Sequence, residues 1–434
     1  MKRGLDNRAE GAARMTSPHE DNAADYRILA IHRYYWPDTP PYASILRAIT
    51  RRWTDSGHLV DILSTQPSYK PEVGIPRQPK TELIDGSTVR RIHMPPDRAS
   101  RIQKLINAIY FPLAVFARVM LGRRYDVVMC STAPPVLLGV ATSLAARMRG
   151  SRFIYHCMDI HPEIGAISGE FRQPWIFALL RRLDTGTCRR STAIVVLSED
   201  MKESLIARDP AVASRVVVLN NFELPGFTSR DSPTRDDLSL GRADGEQIRV
   251  VFTGNLGRFQ GLETVVEALM TADNRLREIE LIFMGDGAAK AELQARVHGD
   301  PRFSFLPHGS ASQARTLMRS ADVGLVSLTP GVIQFAYPSK TSTYLSEGLP
   351  LLVAVEADSE LARSVTKAEI GFVVPPNDVT AMRACLLEVV SKRSELSDMK
   401  ARATRIWQSE FEQAALLNRW GDLLDQVGRD GVMA

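Results

Sequence analysis

The stretch "YPSKTSTYLSEGLP" (337–350) puts a lysine where the apolar spacing predicts the start of a helix. A helix N-terminus carries unpaired amides and the positive end of the dipole, so a cation is disfavoured there. Two readings are open. A solvated Lys340 would lose only about a few tenths of a kcal/mol. Alternatively, a bound pyrophosphate reverses the local field and makes the lysine favourable. Pro338 holds the entry, Ser339 is placed to cap an amide two or three residues on, and Thr343 falls one turn along. A second stretch, "FTGNLGRFQGLE" (252–263), sets Gly254, Asn255 and Gly257 after a strand, with a helix starting near Gly261. Glycines let a backbone approach a phosphate closely, helix amides accept its oxygens, and Arg258 can supply charge. "MGDG" (284–287), with Gly285, repeats the pattern after the next strand. Each Gly turn alone also reads as a plain turn. Arg258 and Lys340 on one sheet together suit chemistry in which negative charge builds on a leaving group.

In the first half, "HCMDIHPE" (156–163) crowds His156, Asp159, His161 and Glu163 at a strand end. Such side chains can ligate a metal, but their spacing matches no standard zinc pattern. The reading taken is that no metal binds, that Asp159 lines a cleft and accepts hydrogen bonds from ligand hydroxyls, and that Glu163 after Pro162 caps the following segment.

Positioning these groups requires strands that end at them. Short apolar strands alternate with helices from "YRILAIHRYY" (26–35) through "SRVVVLNNF" (214–222), break in the polar "GFTSRDSPTRDDLSLGRADGEQ" (226–247), and restart at "IRVVFTGNLG" (248–257). That pattern predicts an α/β protein of two facing, Rossmann-like, doubly wound parallel sheets with a cleft between them. The expected divisions are a disordered tail 1–25, a first domain 26–225, a linker 226–246, a second domain 247–408, and a terminal segment 409–434. "ATRIWQSEFEQAALLNRWGDLLDQV" (403–427) reads as one long amphipathic helix. Ligands bind at the carboxyl ends of parallel strands, which adds the loop 307–310 with His308 to the candidates.

With 44% hydrophobic and 24% charged residues, the 434-residue chain is globular in composition, and a net charge of +4 is too small for a dedicated nucleic-acid binder. Four scattered cysteines form no CxxC pair, which fits a reducing compartment. The start lacks an apolar stretch and reads as a tail, not a signal peptide. No run is a clear transmembrane span. "KLINAIYFPLAVFARVMLGRR" (104–124) comes nearest, but Pro112 and Arg118 interrupt it. Five Lys/Arg and no Asp/Glu lie between Ser100 and Tyr125, and further basic clusters occur at 147–152 and at Arg181, Arg182, Arg189 and Arg190. This suits either a helix lying in an anionic membrane surface or a buried helix with basic ends.

Taken in order, "YYWPDTPPYAS", "SGHLVDILSTQPSY", "STAPPVLLGVATSLAARMRGSRFIYHCMDIHPE", "FTGNLGRFQGLETVVEAL", "MGDG", "SADVGLVSLTPG" and "YPSKTSTYLSEGLPLLVA" resemble the family 4 retaining glycosyltransferases of GT-B fold, over roughly residues 26–425. Within that family the chain is most similar to the colanic-acid and O-antigen polysaccharide transferases. The resemblance implies sugar transfer from a UDP- or GDP-sugar with retention and without an obligatory cofactor. It implies a lipid-linked saccharide acceptor, a peripheral, cytoplasmic location on the inner face of the membrane, and a terminal segment 409–434 that packs back on the first domain. The donor would sit on the second domain, against Gly254, Asn255, Gly257, Gly261, Gly285, His308, Ser339 and Thr343, with Arg258, Lys340 and Asp159 catalytic. The chain also departs from the family: the paired glutamates fall on Phe335 and Thr343, with Glu347 four residues on, and the first-domain Gly pair is replaced around Pro41-Tyr42-Ala43. A catalytically silent partner subunit and a sugar-nucleotide 2-epimerase are the rival readings, the latter weakened by the lack of an obvious carboxylate pair in the second half.

Overall fold

The computed structural model describes residues 26–429 apart from 39–40, 69–74, 95–100, 172 and 223–246; the tail 1–25 and the linker 226–246 lie outside the described residues. In chain order the first half forms β1 (Arg27–Ile31), α1 (Pro41–Asp55), β2 (Leu59–Thr65), β3 (Thr81–Ile84), β4 (Ser87–Ile92), α2 (Arg101–Leu121), β5 (Val127–Ser131), α3 (Leu137–Arg149), β6 (Arg152–His156), α4 (Glu163–Ile167), α5 (Pro174–Arg190), β7 (Ala193–Val196), α6 (Glu199–Arg208) and β8 (Val216–Val218). These strands make a sheet in the order β3-β4-β2-β1-β5-β6-β7-β8. It is parallel except at one edge, where β3 pairs antiparallel to β4. The two-residue turn between them is Asp85-Gly86, both at positive φ, as a tight hairpin of matching twist requires. This hairpin is an addition to the all-parallel sheet expected from the alternation of strands and helices.

The second half forms β9 (Ile248–Thr253), α7 (Leu262–Leu269), β10 (Ile279–Met284), α8 (Lys290–Val297), β11 (Phe303–Leu306), α9 (Ala311–Arg319), β12 (Val323–Ser327), α10 (Lys340–Ser346), β13 (Leu351–Ala354), α11 (Glu360–Lys367), β14 (Gly371–Val374), α12 (Val379–Ser391), α13 (Leu396–Glu410) and α14 (Gln413–Arg429). Its sheet, β11-β10-β9-β12-β13-β14, is wholly parallel. Three of these strands, β9, β12 and β13, are buried end to end, the pattern of strands covered on both faces. Helices α7, α8 and α12 cover one face and α9, α10 and α11 the other, while α13 gives Leu396 and Met399 to the core on the first of these faces and Ala403 to that on the second.

In the first sheet, α2, α3, α5 and α6 share one core with the sheet, and α1 and α14 share the opposite one. The long terminal helix expected from the sequence is in fact two. Phe411 (φ −121°) ends α13 and is buried in the second domain's core. After this break α14 crosses to the first domain, burying Leu416, Trp420, Leu423, Leu424 and Val427 there. The Trp53 indole donates to the Trp420 carbonyl (3.4 Å) and Arg419 to that of Val218 (2.8 Å).

The domains also meet directly. Asp159 forms an isolated antiparallel bridge with Ala336, and the Ile160 amide donates to the Phe335 carbonyl (2.8 Å). The amides opening α6 and α11 are each capped from the other domain. Glu199 N–H donates to the Glu360 carboxylate (2.6 Å), and Glu360 N–H to the Asp200 carboxylate (3.0 Å).

Candidate active site

Strands β9 and β10 run in register with Thr253 beside Met284, and a glycine follows each. Gly254 (φ 112°) and Gly285 (φ 149°) adopt backbone that a side chain would strain. A Cβ on Gly285 would lie 1.9 Å from the Gly254 carbonyl oxygen. The two turns interlock through Gly254 N–H to the Met284 carbonyl, Leu256 N–H to that of Asp286 and Ala289 N–H to that of Leu256, each 2.9 Å. The Asn255 side chain lies over both turns, where Cβ atoms on Gly257 and Gly287 would stand. Gly261 (φ 57°) is buried under Asn377 and the Leu328 carbonyl at the start of α7, so it joins elements and does not face the cleft.

Lys340 opens α10, as the spacing implies, and its ammonium lies beside the Gly254 turn. A Cβ built on Gly254 would touch the lysine Cε at 3.4 Å and Nζ at 3.6 Å. The ammonium also stands 4.5 Å from the centroid of the Phe252 ring, a cation–π contact. Its side chain is half-buried with no carboxylate partner among the described residues, and burial pushes its pKa down to about 8. A cation partly withdrawn from water without a counter-ion is costly, and a bound anion would relieve that cost. Tyr344, four residues on and on the same helix face, fixes the arrangement: its hydroxyl accepts the Thr253 amide hydrogen (2.9 Å) and ties α10 to the end of β9.

The other expected residues divide. Arg258 starts a short 3₁₀ turn four residues past Gly254 and is exposed; unlike Lys340 it is not fixed against the turn. His308, also exposed, follows β11 and hydrogen-bonds through its backbone to Asp286, which is paired with Lys290 (2.6 Å). Ser339 is exposed in helical backbone geometry and caps nothing, because the turn is already helical at that residue and its hydroxyl cannot reach back over the following amides. Thr343 is half-buried on α10. Phe335 packs with Tyr337 against the first domain's core. Glu347 is locked between Arg315 and Arg319 (2.6 Å to the latter) on α9, so it is not available to a ligand.

On the facing side, Asp159 follows β6 and is held by its bridge to Ala336, four residues before Lys340. Burial pushes its carboxyl up to about 6. The neighbouring histidines serve packing. His156 is buried with its Nδ1 2.8 Å from the Tyr42 hydroxyl and its ring against Trp420; His32 meets Tyr42 edge-on in turn and hydrogen-bonds Ser131. Burial lowers His156 to about 3 and His161 to about 4, so both are neutral. Glu163 opens α4 and pairs with Arg181 (3.2 Å) and Arg208 (3.4 Å). Among the described residues no three His, Cys, Asp or Glu side chains are grouped to hold a metal.

Sequence reasoning missed Phe252 and Tyr344. Both had a signal: Phe252 shares a strand face with Gly254 by the period of two, and Tyr344 shares a helix face with Lys340 at i+4.

Comparison with known proteins shows the family and the fold. Residues 19–221 match the model of the glycosyl transferase 4-like domain, and residues 247–392 that of glycosyl transferases group 1. The chain is 24% identical over 326 residues to a probable glycosyltransferase, WbjE, of Pseudomonas aeruginosa, covering 74% of this chain and 78% of that one. It is 26% identical over 301 residues to a putative colanic acid biosynthesis glycosyl transferase, WcaI, of Escherichia coli, covering 67% and 72%. In fold it is similar to sucrose-phosphate synthase of Thermosynechococcus elongatus (TM-score 0.71, 16% identity, 93% of this chain and 99% of that one). It is also similar in fold to Anabaena HepE in complex with UDP-glucose (TM-score 0.66, 15% identity, 92% and 100%). The chain is a glycosyltransferase of GT-B fold and belongs to family 4, in the branch of the colanic-acid and O-antigen transferases.

Proposed function

We propose that this protein transfers a sugar, with retention, from a UDP- or GDP-sugar to a lipid-linked saccharide during cell-surface polysaccharide synthesis at the inner face of the membrane. The observation that carries the reading is the half-buried, carboxylate-free ammonium of Lys340 against the Gly254 turn. As the bond from sugar to diphosphate breaks, negative charge grows on the departing phosphate. A preorganised cation beside it stabilises the transition state more than the ground state. The Gly254 turn brings backbone close to the Lys340 ammonium where the diphosphate would lie, Asn255 and the exposed Arg258 and His308 stand at the same end of the sheet, and Asp159 accepts hydrogen bonds from sugar hydroxyls across the cleft. Names of relatives support the pathway: one is called a colanic acid biosynthesis transferase, and a fold neighbour holds UDP-glucose. The membrane location rests on α2. No helix among the described residues is long and apolar enough to cross a membrane, yet α2 exposes Leu105, Ile106, Ile109, Tyr110 and Leu113.

The test is sugar transfer by Lys340→Ala, after a thermal-shift screen of UDP- and GDP-sugars has found the donor. The expected loss in rate is roughly ten- to a thousandfold, with the unfolding temperature of the free protein unchanged or raised. Wild-type turnover would remove Lys340 from the chemistry.

A further inference from the structure

Helices α2, α3 and α5 form one outer layer, and its charge is one-sided. Arg118 lies on α2 with Arg123 and Arg124 just after it, Arg147 and Arg149 on α3, and Arg181, Arg182, Arg189 and Arg190 on α5, of which Arg181 and Arg189 are paired with Glu163 (3.2 Å) and Asp209 (2.7 Å) of neighbouring elements. The single carboxylate on these three helices, Asp184, is fully buried and paired with Arg208 at 2.6 Å. The same layer exposes large apolar side chains on every helix: Leu113 (62%) and Leu121 (88%) on α2, Met148 (63%) on α3, Trp175 (68%) on α5. Cations mixed with exposed apolar side chains complement an anionic bilayer surface.

At the margin of this layer, where α2 overlies β1, β2 and β4, lies a groove of about 760 Å³, within the roughly 300–1,000 Å³ of small-ligand sites. One wall is the α2 stripe Tyr110, Leu113, Ala117 and Leu121, and the other includes Leu29 and Leu63. Three of the stripe residues, Tyr110, Leu113 and Leu121, also belong to the exposed apolar set, so the groove opens onto the bilayer-facing surface itself. Its polar groups are placed together. Asp61 accepts from the Tyr125 hydroxyl (2.7 Å) and pairs with Arg90 (3.6 Å). Arg118 lines the groove, exposed and without a carboxylate partner among the described residues.

We propose that this groove takes one hydrocarbon chain of a phosphate-bearing membrane lipid, with the phosphate held by Arg118 beside Arg90. The proposal rests on the reading that α2 lies on an anionic membrane. A lipid seated there would rest directly on the sheet of the first domain, because the groove's inner wall is made of β1, β2 and β4.

The experiment uses the full chain with dodecyl phosphate below its micelle concentration, by calorimetry, and with vesicles of phosphatidylglycerol and phosphatidylcholine, by co-sedimentation. The expected result is saturable, one-site binding of dodecyl phosphate to the wild type, none of inorganic phosphate, and at least about tenfold weaker binding by Ala117→Trp, which fills the groove from an exposed position. Arg118→Glu should weaken it similarly, and both variants should unfold at the wild-type temperature. Ala117→Trp should still sediment with vesicles, because the outer face is intact, whereas Ile109→Glu should not. Equal affinity in wild type, Ala117→Trp and Arg118→Glu, or no binding to the wild type, overturns the groove while leaving the membrane surface standing. Absence of wild-type protein from the vesicle pellet overturns the membrane reading and with it the lipid source.

Discussion

Lys340 and Asp159 are both displaced from their ordinary titration ranges, by burial, and in directions that set a working window. The lysine is pushed down to about 8 and the aspartic acid up to about 6. Lys340 is useful only while protonated and Asp159 only while ionised. The free enzyme therefore has its correct charge state between those values, and kcat/KM should be bell-shaped, falling below about pH 6 and above about pH 8. In Lys340→Arg the alkaline limb should move out of the measurable range, because a guanidinium stays charged; an unmoved limb would assign it to another group. The lysine was legible from the sequence because its position at a helix start is locally unfavourable, and such conflicts concentrate at functional sites. The role of Ser339 was not. Capping depends on one residue's backbone angles, and here the chain is already helical at the position where a cap must be extended. Arg258 was legible as a nearby cation, but no spacing rule says whether a turn residue is held or exposed.

At the scale of elements, α10 is short, Lys340–Ser346, and too few turns are present for it to be stable alone. Its placement comes from Tyr344, whose ring packs on Gly324 of β12 and whose hydroxyl meets the Thr253 amide. Tyr344→Phe leaves that buried amide unpaired and should cost about 1–3 kcal/mol, read by urea unfolding. Transfer should fall as well, because Lys340 rides on the same helix. Stability within error of wild type would show that α10 is held by other contacts. The parallel strands and their following glycines could be read from the sequence because buried strands and Gly turns are local patterns. The β3–β4 hairpin was missed since its strands are short and partly exposed, with Asp85-Gly86 as their only strong signal. The break at Phe411 was missed for a different reason. Amphipathic periodicity runs through it, and what ends α13 is the burial of Phe411 in one domain while the residues after it are claimed by the other.

Over the whole molecule, two separately cored sheets are joined by a few specific contacts. Asp159 bridges to Ala336, the starts of α6 and α11 cap one another, and α14 returns to bury Trp420 on the first domain beside His156. None of this could be derived from one sequence by periodicity, because it depends on the relative placement of segments more than 150 residues apart. The family resemblance, carried by motif order, conveyed the architecture and marked Phe335 as a departure from a family glutamate, but not that its side chain packs against the first domain's core. The segment from Phe335 to Lys340 thus links the domain contact to the charged pocket, and a donor diphosphate would meet Lys340 where the domains touch. The most direct measurement of that encounter is the titration of Lys340 itself, followed by NMR of the chain carrying ¹³Cε-lysine, with Lys340→Arg to assign the signal. Free protein should titrate near pH 8, and saturating UDP or GDP should raise that value by more than about one unit, since a neighbouring anion favours the charged form. A titration unmoved by a nucleoside diphosphate that demonstrably binds would contradict the placement of the diphosphate at Lys340.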